Sequence, residues 1–508
     1  MIRTALFSLY DTSNVAEYAR TLVSLGWQVM GSRETSSILL QEGIPCTDIT
    51  EFTGIQRDFG IPPTLHPKIE NALTMESPEE RIDLVYDIPY PLSVGNDVGG
   101  RVLLALAAKG RRIPVMSQAD MQRVLAELQA EGDITDGLRA ELIDKANAEI
   151  ASHYLMLVQK SERGAFDGLV GRQVYPLANG ENPYQVAELF AAGKDDPLAL
   201  HRFVNLSETA PCFTNLADVD ALLNTLHLVD AAFQENLGRR PYLALASKHG
   251  NVCGASYDWS EPYEAIERAL FGNPLAVWGG ELAVNFTVDE TIAEVMVQNP
   301  RREELLGSAA WMLDVVIAPG YTPAASNRLL MRAFRKVFQN PALHDPQPLL
   351  EGNSYRPVRG GFLRQSPPWR VLRFSEMESA SPLPEGEDAA DMILAWAAAY
   401  TSFLGGNEIA LAQGSMLVGV GGGPATVMAA KTAVERSRLA HGDISGSVFC
   451  ADAFFPFTDG PEVLIEAGVR LGCVPAGGRN ESLVREAFEK AGVRLYYLPE
   501  DFRGFCRH

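Results

Sequence analysis

The order of parts along this chain is what most narrows its fold: a short apolar run, a polar turn rich in helix-capping residues, then a stretch with helical spacing, repeated. Thr4–Leu9 is an apolar run ending at Tyr10-Asp11-Thr12-Ser13-Asn14, and Val15–Leu25 follows with helical periodicity. Gln28–Met30 reads as a second strand, and Gly31-Ser32-Arg33-Glu34-Thr35-Ser36 opens another helix. Thr64-Leu65-His66-Pro67, a strand at Asp83–Tyr86, and Asp97-Val98-Gly99-Gly100 leading into a helix at Val102–Lys109 continue the pattern. This alternation predicts an α/β fold with a parallel sheet. Polar groups and helix N-termini then gather at the carboxyl ends of strands, where anions bind.

A helical stretch runs from Ser117, a plausible N-cap, to Lys160, with a break near Glu131–Thr135; its later part, Leu142–Lys160, reads as a connector to a second module. That module opens with Tyr175–Gln185, rich in turn formers and read as irregular. Later strands are expected at Glu281–Asn285 and Val315–Ala318. Residues 340–388 read as irregular surface connections, and from 389 an apolar helix (Ala389–Phe403) and strands near Glu408–Ala412 and Met416–Val420 resume the pattern. No fixed-period repeat is visible.

The chemistry is expected at Ala244–Gly254. A buried strand, Tyr242–Ala246, stops at Lys248-His249, and small, flexible residues follow. A lysine beside a histidine offers a fixed cation and a group that titrates near neutrality, suited to oxyanion stabilisation and proton transfer. An isolated pair of this kind is more often a solvated strand end and a loop histidine; the motifs around it weigh against that. Val418-Gly419-Val420-Gly421-Gly422-Gly423-Pro424 lacks the lysine and hydroxyl of a phosphate loop and reads as a tight strand-to-helix turn. The cluster Phe454-Phe455-Pro456-Phe457, flanked by Asp452 and Asp459, is either core or a wall for a flat heterocycle, and Trp278 beside Gly279-Gly280 is equally ambiguous.

With 508 residues the chain exceeds one ordinary core, so two or three domains are expected. A formal charge of −21 argues against nucleic acid or an anionic membrane as partner, though not against a small anionic substrate. The six cysteines have no metal-like spacing, the N-terminus has no signal-peptide pattern, and no apolar run is long enough to span a bilayer. A reduced, cytoplasmic protein without a metal site is the expectation.

The ordered set GENPYQ, SKHGNVCG, NPLAVWGGELAVN, IAPGY, GNEIALAQGSMLVGVGGG, DAFFPFTDG and PAGGRNE resembles the AICAR transformylase/IMP cyclohydrolase family. ALFSLYDTSNV, EYARTLVSLGWQVMGSRETS, GIPCTDITEFTG and TLHPK resemble that family's first domain. The resemblance implies a methylglyoxal-synthase-like domain over 1–168 and, over 169–508, tandem cytidine-deaminase-like α/β units. These would carry a formyl group from 10-formyltetrahydrofolate to the amine of AICAR, in a homodimer with transformylase sites at the subunit interface, with a monovalent cation as accessory ion. It implies a catalytic role for Lys248, His249 and Asn407. Substrate or folate contacts are implied for Asn182, Trp278, Gly279, Phe454, Pro456, Phe457 and Asp459, and for Arg503 near a nucleotide phosphate.

Departures from the family pattern are as informative. Ala178-Asn179 replace an Arg-Tyr pair, Tyr184 replaces a histidine, and Pro424-Ala425-Thr426-Val427 replace Gln-x-Ser-Arg, so an acceptor without the usual phosphate, or holding it differently, is implied. In the first domain Tyr10-Asp11-Thr12 replace Ser-Asp-Lys, Arg33-Glu34 replace Gly-Gly, and Ile61-Pro62-Pro63 replace Arg-Val-Lys, whereas Tyr90, Asp97 and Lys109 match. That pattern predicts a weak or dead cyclohydrolase, unless Arg33 and Arg101 build a new anion site. A regulator that binds folate or nucleotide without turnover is the alternative from another class, and it has no need of a proton-transfer pair.

Overall fold

A computed structural model describes residues 2–55, 64–76, 80–161, 163–192, 196–347 and 352–504. Two compact units emerge, Met1–Arg172 and Gln173–His508. Among the described residues no helix is long and apolar enough to cross a membrane.

The first unit runs β1 (Thr4–Leu9), α1 (Val15–Ser24), β2 (Gln28–Gly31), α2 (Arg33–Gln41), β3 (Thr47–Asp48), α3 (Ile49–Thr53), α4 (Pro67–Thr74), β4 (Leu84–Ile88), α5 (Val98–Lys109), β5 (Ile113–Val115), α6 (Gln118–Glu131) and α7 (Asp136–Gln159). Its five strands are all parallel, in the order β3-β2-β1-β4-β5. Both faces are covered: Phe7 and Tyr86 point into one apolar cluster, and their neighbours Leu6 and Val85 into another. The strand order reverses between β1 and β4, the place where such sheets bind ligands.

The second unit begins with the hairpin β6 (Arg172–Pro176) and β7 (Glu188–Ala191), so Tyr175 and Pro176 are strand residues, not part of the irregular turn expected there. It continues with β8 (Val204–Asn205), α8 (Phe213–Leu237), β9 (Tyr242–Lys248), β10 (Asn251–Asp258), α9 (Pro262–Phe271), β11 (Gly280–Val284), α10 (Glu290–Val297), α11 (Pro300–Leu306), β12 (Leu313–Ala318), α12 (Pro323–Leu330) and β13 (Lys336–Gln339). After β14 (Ser354–Val358) and β15 (Gly361–Gln365) come α13 (Gly386–Thr401), β16 (Glu408–Gln413), β17 (Met416–Gly422), α14 (Thr426–His441), β18 (Val448–Ala451), α15 (Asp459–Glu466), β19 (Leu471–Pro475), α16 (Glu481–Lys490) and β20 (Arg494–Leu498). The stretch 340–388 is therefore less irregular than expected. It holds the β14–β15 hairpin, whose exposed, Arg- and Pro-bearing strands hid the signal, and it buries Leu372 and Phe374 in the core.

Eleven strands form one mixed sheet, β20-β19-β18-β16-β17-β10-β9-β11-β12-β13-β8. The order is a repeat that the sequence does not announce. Each half starts with an antiparallel hairpin, β9–β10 or β16–β17. The first hairpin strand pairs antiparallel with β11 or β18, and two parallel strands follow outward. The halves meet where β10 runs antiparallel to β17. Helices α8 and α13 share a single core across both halves and are joined by a buried Thr225–Thr401 hydroxyl pair at 2.7 Å. On the opposite face each half keeps its own cluster. Helix α13 is apolar nearly all round, as burial between a sheet and a neighbouring helix demands, whereas α8 keeps a polar side that includes Asp218.

Candidate active site

Strand β9 does not open into a flexible loop at Lys248-His249, as the sequence suggested. It turns back at once into β10, with Lys248 paired to Asn251. The two turn residues, His249 (φ 54°) and Gly250 (φ 70°), are both left-handed, the signature of a type I′ hairpin. The turn is held from three sides. The His249 N–H donates to Asp218 Oδ2 of α8 (3.1 Å), and Asn251 Nδ2 donates to the His249 carbonyl (2.9 Å). Asn251 Oδ1 in turn accepts the Phe403 N–H (2.6 Å) from the α13–β16 connection. The imidazole is left exposed at the tip.

The Lys248 ammonium donates to the carbonyls of Trp278 (2.9 Å) and Gly279. Gly279 is needed there: its φ is +70°, and a Cβ would stand 2.8 Å from Lys248 Nζ. Trp278 is braced by the Arg302 guanidinium, 4.5 Å from its ring and 4.9 Å from that of Trp311. Beside Lys248 lies a cavity of about 260 Å³ that Asn251, Cys253, Asn273, Leu404 and Arg436 also line. Burial pushes the Cys253 thiol up to about 12, which disfavours its thiolate. Glu281, missed by the sequence reading, is buried next to this group; the detectable signal was an acid set in the apolar run that follows Gly279-Gly280.

Because β9–β11, β16–β17 and β16–β18 are antiparallel, the Lys248-His249 turn, the Trp278-Gly279 turn, Asn407 and the segment after β18 all fall on one edge of the sheet. Asn407 opens β16 three strands from β9, about 14 Å at ordinary strand spacing. Its side-chain amide donates to Gly423 O (3.0 Å), so the structure brings it to the same edge as Lys248 but not onto the same point. Next to it, Glu408 Oε1 accepts the N–H groups of Leu404, Gly405 and Gly406 at 2.8, 2.8 and 3.0 Å.

Beyond β18, Asp452 is buried; burial, with Glu408 adding to it, pushes its carboxyl up to about 9, while its Oδ1 accepts the Glu408 N–H (2.8 Å). Its neighbours divide the aromatic cluster between both readings. Phe455 is core, tilted against Phe449 and Phe488, whereas Phe457 is 63% exposed and Phe454 half-buried. Arg503 lies over Phe454 at 5.4 Å and pairs with Glu500 at 3.6 Å. Asn480 donates to Pro456 O (2.6 Å), and Asp459 starts α15, accepting the Gly460 N–H. Asn182 is turned inward on its own loop, its amide on Gln185 Oε1 (3.1 Å), while Tyr184 is 84% exposed. That loop is tied to the start of α8, where the Phe213 N–H donates to Asn179 O (2.9 Å).

The glycine run is a packing device. A Cβ on Gly421 would meet Ala433 N of α14 at 2.1 Å, and one on Gly419 would meet Ser437 Oγ at 2.0 Å. Cysteines scattered in sequence also meet in space: Cys450 and Cys473, on paired strands, stand 3.0 Å apart and buried.

In the first unit Tyr90 and Asp97 come together at the carboxyl end of β4. The Tyr90 N–H donates to Asp97 Oδ2 (3.2 Å), and Asp97 Oδ1 caps α5 through the Gly100 N–H (2.8 Å). Lys109 is not with them. It sits at the far end of α5, about 18 Å along the axis, within 4.0 Å of Glu70. Arg101 is 5% exposed, its Nη2 on Glu149 (3.3 Å) and His153 (3.1 Å), while its Nε and Nη1 are buried without a hydrogen-bond partner. Burial, then Asp97, holds the nearby Asp87 carboxyl well above its ordinary range. Ile61-Pro62-Pro63 lie outside the described residues.

Among the described residues no three His, Cys, Asp or Glu side chains converge as metal ligands. The family model described as "AICARFT/IMPCHase bienzyme" matches residues 108–436. The chain is 28% identical over 544 aligned positions to the "Bifunctional purine biosynthesis protein PurH" of Anaeromyxobacter sp. (strain Fw109-5), covering 97% of this chain and 98% of that protein. It is also 28% identical, over 542 positions and the same shares, to the protein of that name from Anaeromyxobacter dehalogenans (strain 2CP-C). A solved structure described as "Crystal structure of ForH" is 26% identical and covers 30% of this chain and 95% of that one. Its TM-score of 0.28 is too low to bear on fold or function.

Proposed function

The chain belongs to the AICARFT/IMPCHase bienzyme family, as a divergent member, and from that premise we propose that its second unit is a folate-dependent N-formyltransferase. The donor is 10-formyltetrahydrofolate and the acceptor is AICAR or a similar amino-heterocycle. The observation that carries the reading is the braced Lys248-His249 turn, with an exposed imidazole beside a partly saturated ammonium. Such an acceptor amine is conjugated to its ring and is a poor nucleophile, so His249 takes its proton as it attacks the formyl carbon. Lys248 has three N–H donors and spends two on carbonyls; the third stabilises the developing oxyanion and assists departure of the folate nitrogen. Phe454, Pro456 and Phe457 give the pterin a flat wall, Asp459 meets its donor-rich edge, and Trp278 borders the cavity side.

Asn407 joins this set if a second copy of the chain supplies it, since within one chain its strand lies about 14 Å from that of Lys248. A homodimer with shared sites is therefore part of the proposal, in a cytoplasmic enzyme. A monovalent accessory cation belongs to the same reading.

A second reading is favoured by the exposed Tyr184 and by Ala178-Asn179 at positions where a phosphate-holding cation was expected. In it the chain formylates and cyclises a purine-like precursor of a specialised pathway. The inward Arg101 and distant Lys109 support a first unit weak in IMP formation. The test is turnover of 10-formyltetrahydrofolate with AICAR by wild type and by His249→Ala. A rate abolished in the variant supports the transferase. Equal rates would remove His249 from the chemistry, and folate binding without transfer to AICAR would favour a different acceptor.

A further inference from the structure

Formyl transfer as just described gives no role to the acid directly after Asn407. Glu408 is the first residue of β16, in register with Gly422 of β17, and it is 2% exposed. Its Oε1 gathers three successive N–H groups, those of Leu404, Gly405 and Gly406, at 2.8, 2.8 and 3.0 Å. Consecutive N–H groups turned to one point form a concavity for an anion, and here the chain fills it with its own side chain. The backbone of Glu408 is pinned as well: its N–H donates to Asp452 Oδ1 (2.8 Å), and its carbonyl accepts the Asp452 N–H (3.1 Å).

The segment gathered in this way reaches the transfer site. Phe403, the residue before it, donates its N–H to Asn251 Oδ1 (2.6 Å), and Asn251 Nδ2 holds the His249 carbonyl (2.9 Å). Leu404 borders the cavity beside Lys248, and Asn407 closes the segment. The glycine run makes room for it. A Cβ on Gly405 would stand 2.6 Å from Gly423 Cα, and one on Gly422 would stand 2.5 Å from Leu404 Cβ and 3.0 Å from Glu408 Oε1.

We propose that Glu408 is a positioning residue of the transfer site: it folds segment 403–407 into the shape that holds the His249 turn through Asn251. Its purpose depends on the formyl-transfer reading; its hydrogen-exchange test does not. Buried as it is, Glu408 acts through Asn251 and touches no substrate, so its loss is felt in kcat and not in KM.

In Glu408→Ala, kcat is expected to fall about 10–100-fold, with KM for the folate within about twofold. Glu408→Gln keeps an acceptor oxygen for the three N–H groups and restores most of the rate. Asn251→Ala alone should lose a similar factor. The double variant should fall no more than about threefold below the worse single one, because both changes cut the same chain of bonds. Independently of any turnover, amide hydrogen exchange at 249–251 is expected about tenfold faster in Glu408→Ala and unchanged in β19 and β20. Glu408→Asp, whose shorter side chain draws the oxygen back from the N–H groups, carries the test should Glu408→Ala fail to fold. Exchange at the turn equal to wild type, an equal acceleration in β19 and β20, or kcat losses that multiply in the double variant overturns the proposal. If no acceptor supports turnover but exchange at the turn alone accelerates, the formyl-transfer reading fails while the hold of Glu408 on the His249 turn stands.

Discussion

Under the proposed function His249 does two things that conflict, and replacing it by asparagine separates them. As the first residue of a type I′ turn it holds φ 54°, a conformation that costs most L-residues about 1–2 kcal/mol and asparagine less. Asn-Gly is the preferred pair for this turn. The tether from Asp218 reaches the backbone N–H, and Asn251 reaches the carbonyl, so neither depends on the side chain. The imidazole itself is exposed and buries little on folding. His249→Asn should therefore stabilise the second unit by about 0.5–1 kcal/mol, the part of the left-handed cost that asparagine avoids. Its amide cannot accept the amine proton, so formyl transfer should fall by about 10²–10⁴-fold. Urea denaturation read alongside the transfer rate checks both numbers at once, with His249→Val, β-branched in the same position, expected to be less stable than wild type. A loss of stability in His249→Asn, or a rate within threefold of wild type, would refute the reasoning.

Other expectations follow from the same geometry. Gly421→Ala drives a methyl into the Ala433 backbone, so it should cost more than about 2 kcal/mol or prevent folding; a soluble, stable variant that had lost only ligand affinity would restore the phosphate-loop reading. Phe454→Ala should raise KM for the folate about tenfold with little effect on folding, as measured by steady-state kinetics and thermal unfolding. Burial, then Glu387, pushes the Asp391 carboxyl up to about 7, so the folded state holds its proton more tightly than the unfolded chain. Its contribution is complete below the ordinary Asp range near pH 4 and is lost as pH rises through about 7. Asp391→Asn keeps the acceptor for the Ser415 N–H and should flatten that part of the stability–pH curve, as followed by denaturant midpoints from pH 4 to 8.

Strand and helix positions were legible where apolar runs met capping residues: Thr4–Leu9 and the break between α6 and α7 at Gly132–Thr135 follow from local chemistry alone. The His249-Gly250 hairpin was not, because histidine is an unusual turn residue and the sequence shows only small residues after a strand. The repeat of the two half-sheets was hidden for a different reason. It lies in strand order and pairing direction, which share no period and little residue identity. Glu281 and Asp218 escaped notice since each is one acid among 64 acidic residues; only the fold sets Asp218 against the His249 turn and Glu281 beside Ser247. Lys109 matched by motif, yet a helix's length separates it from Asp97, a distance that a sequence position does not state.

The doubled hairpin gives the molecule an internal reference. The β16–β17 turn, Gly414-Ser415, has the same left-handed pair of residues (φ 63° and 66°) as His249-Gly250. Because β10 and β17 run antiparallel, it lies at the opposite edge of the sheet, near Tyr257, away from the cavity. In the proposed function one turn of this shape carries chemistry and the other lies apart from it. The glycine and the L-residue are exchanged between the two turns, His249 standing first in its pair and Ser415 second, so a swap of His249-Gly250 to Gly-His would show whether the working edge needs the imidazole at the first turn position or only in the turn.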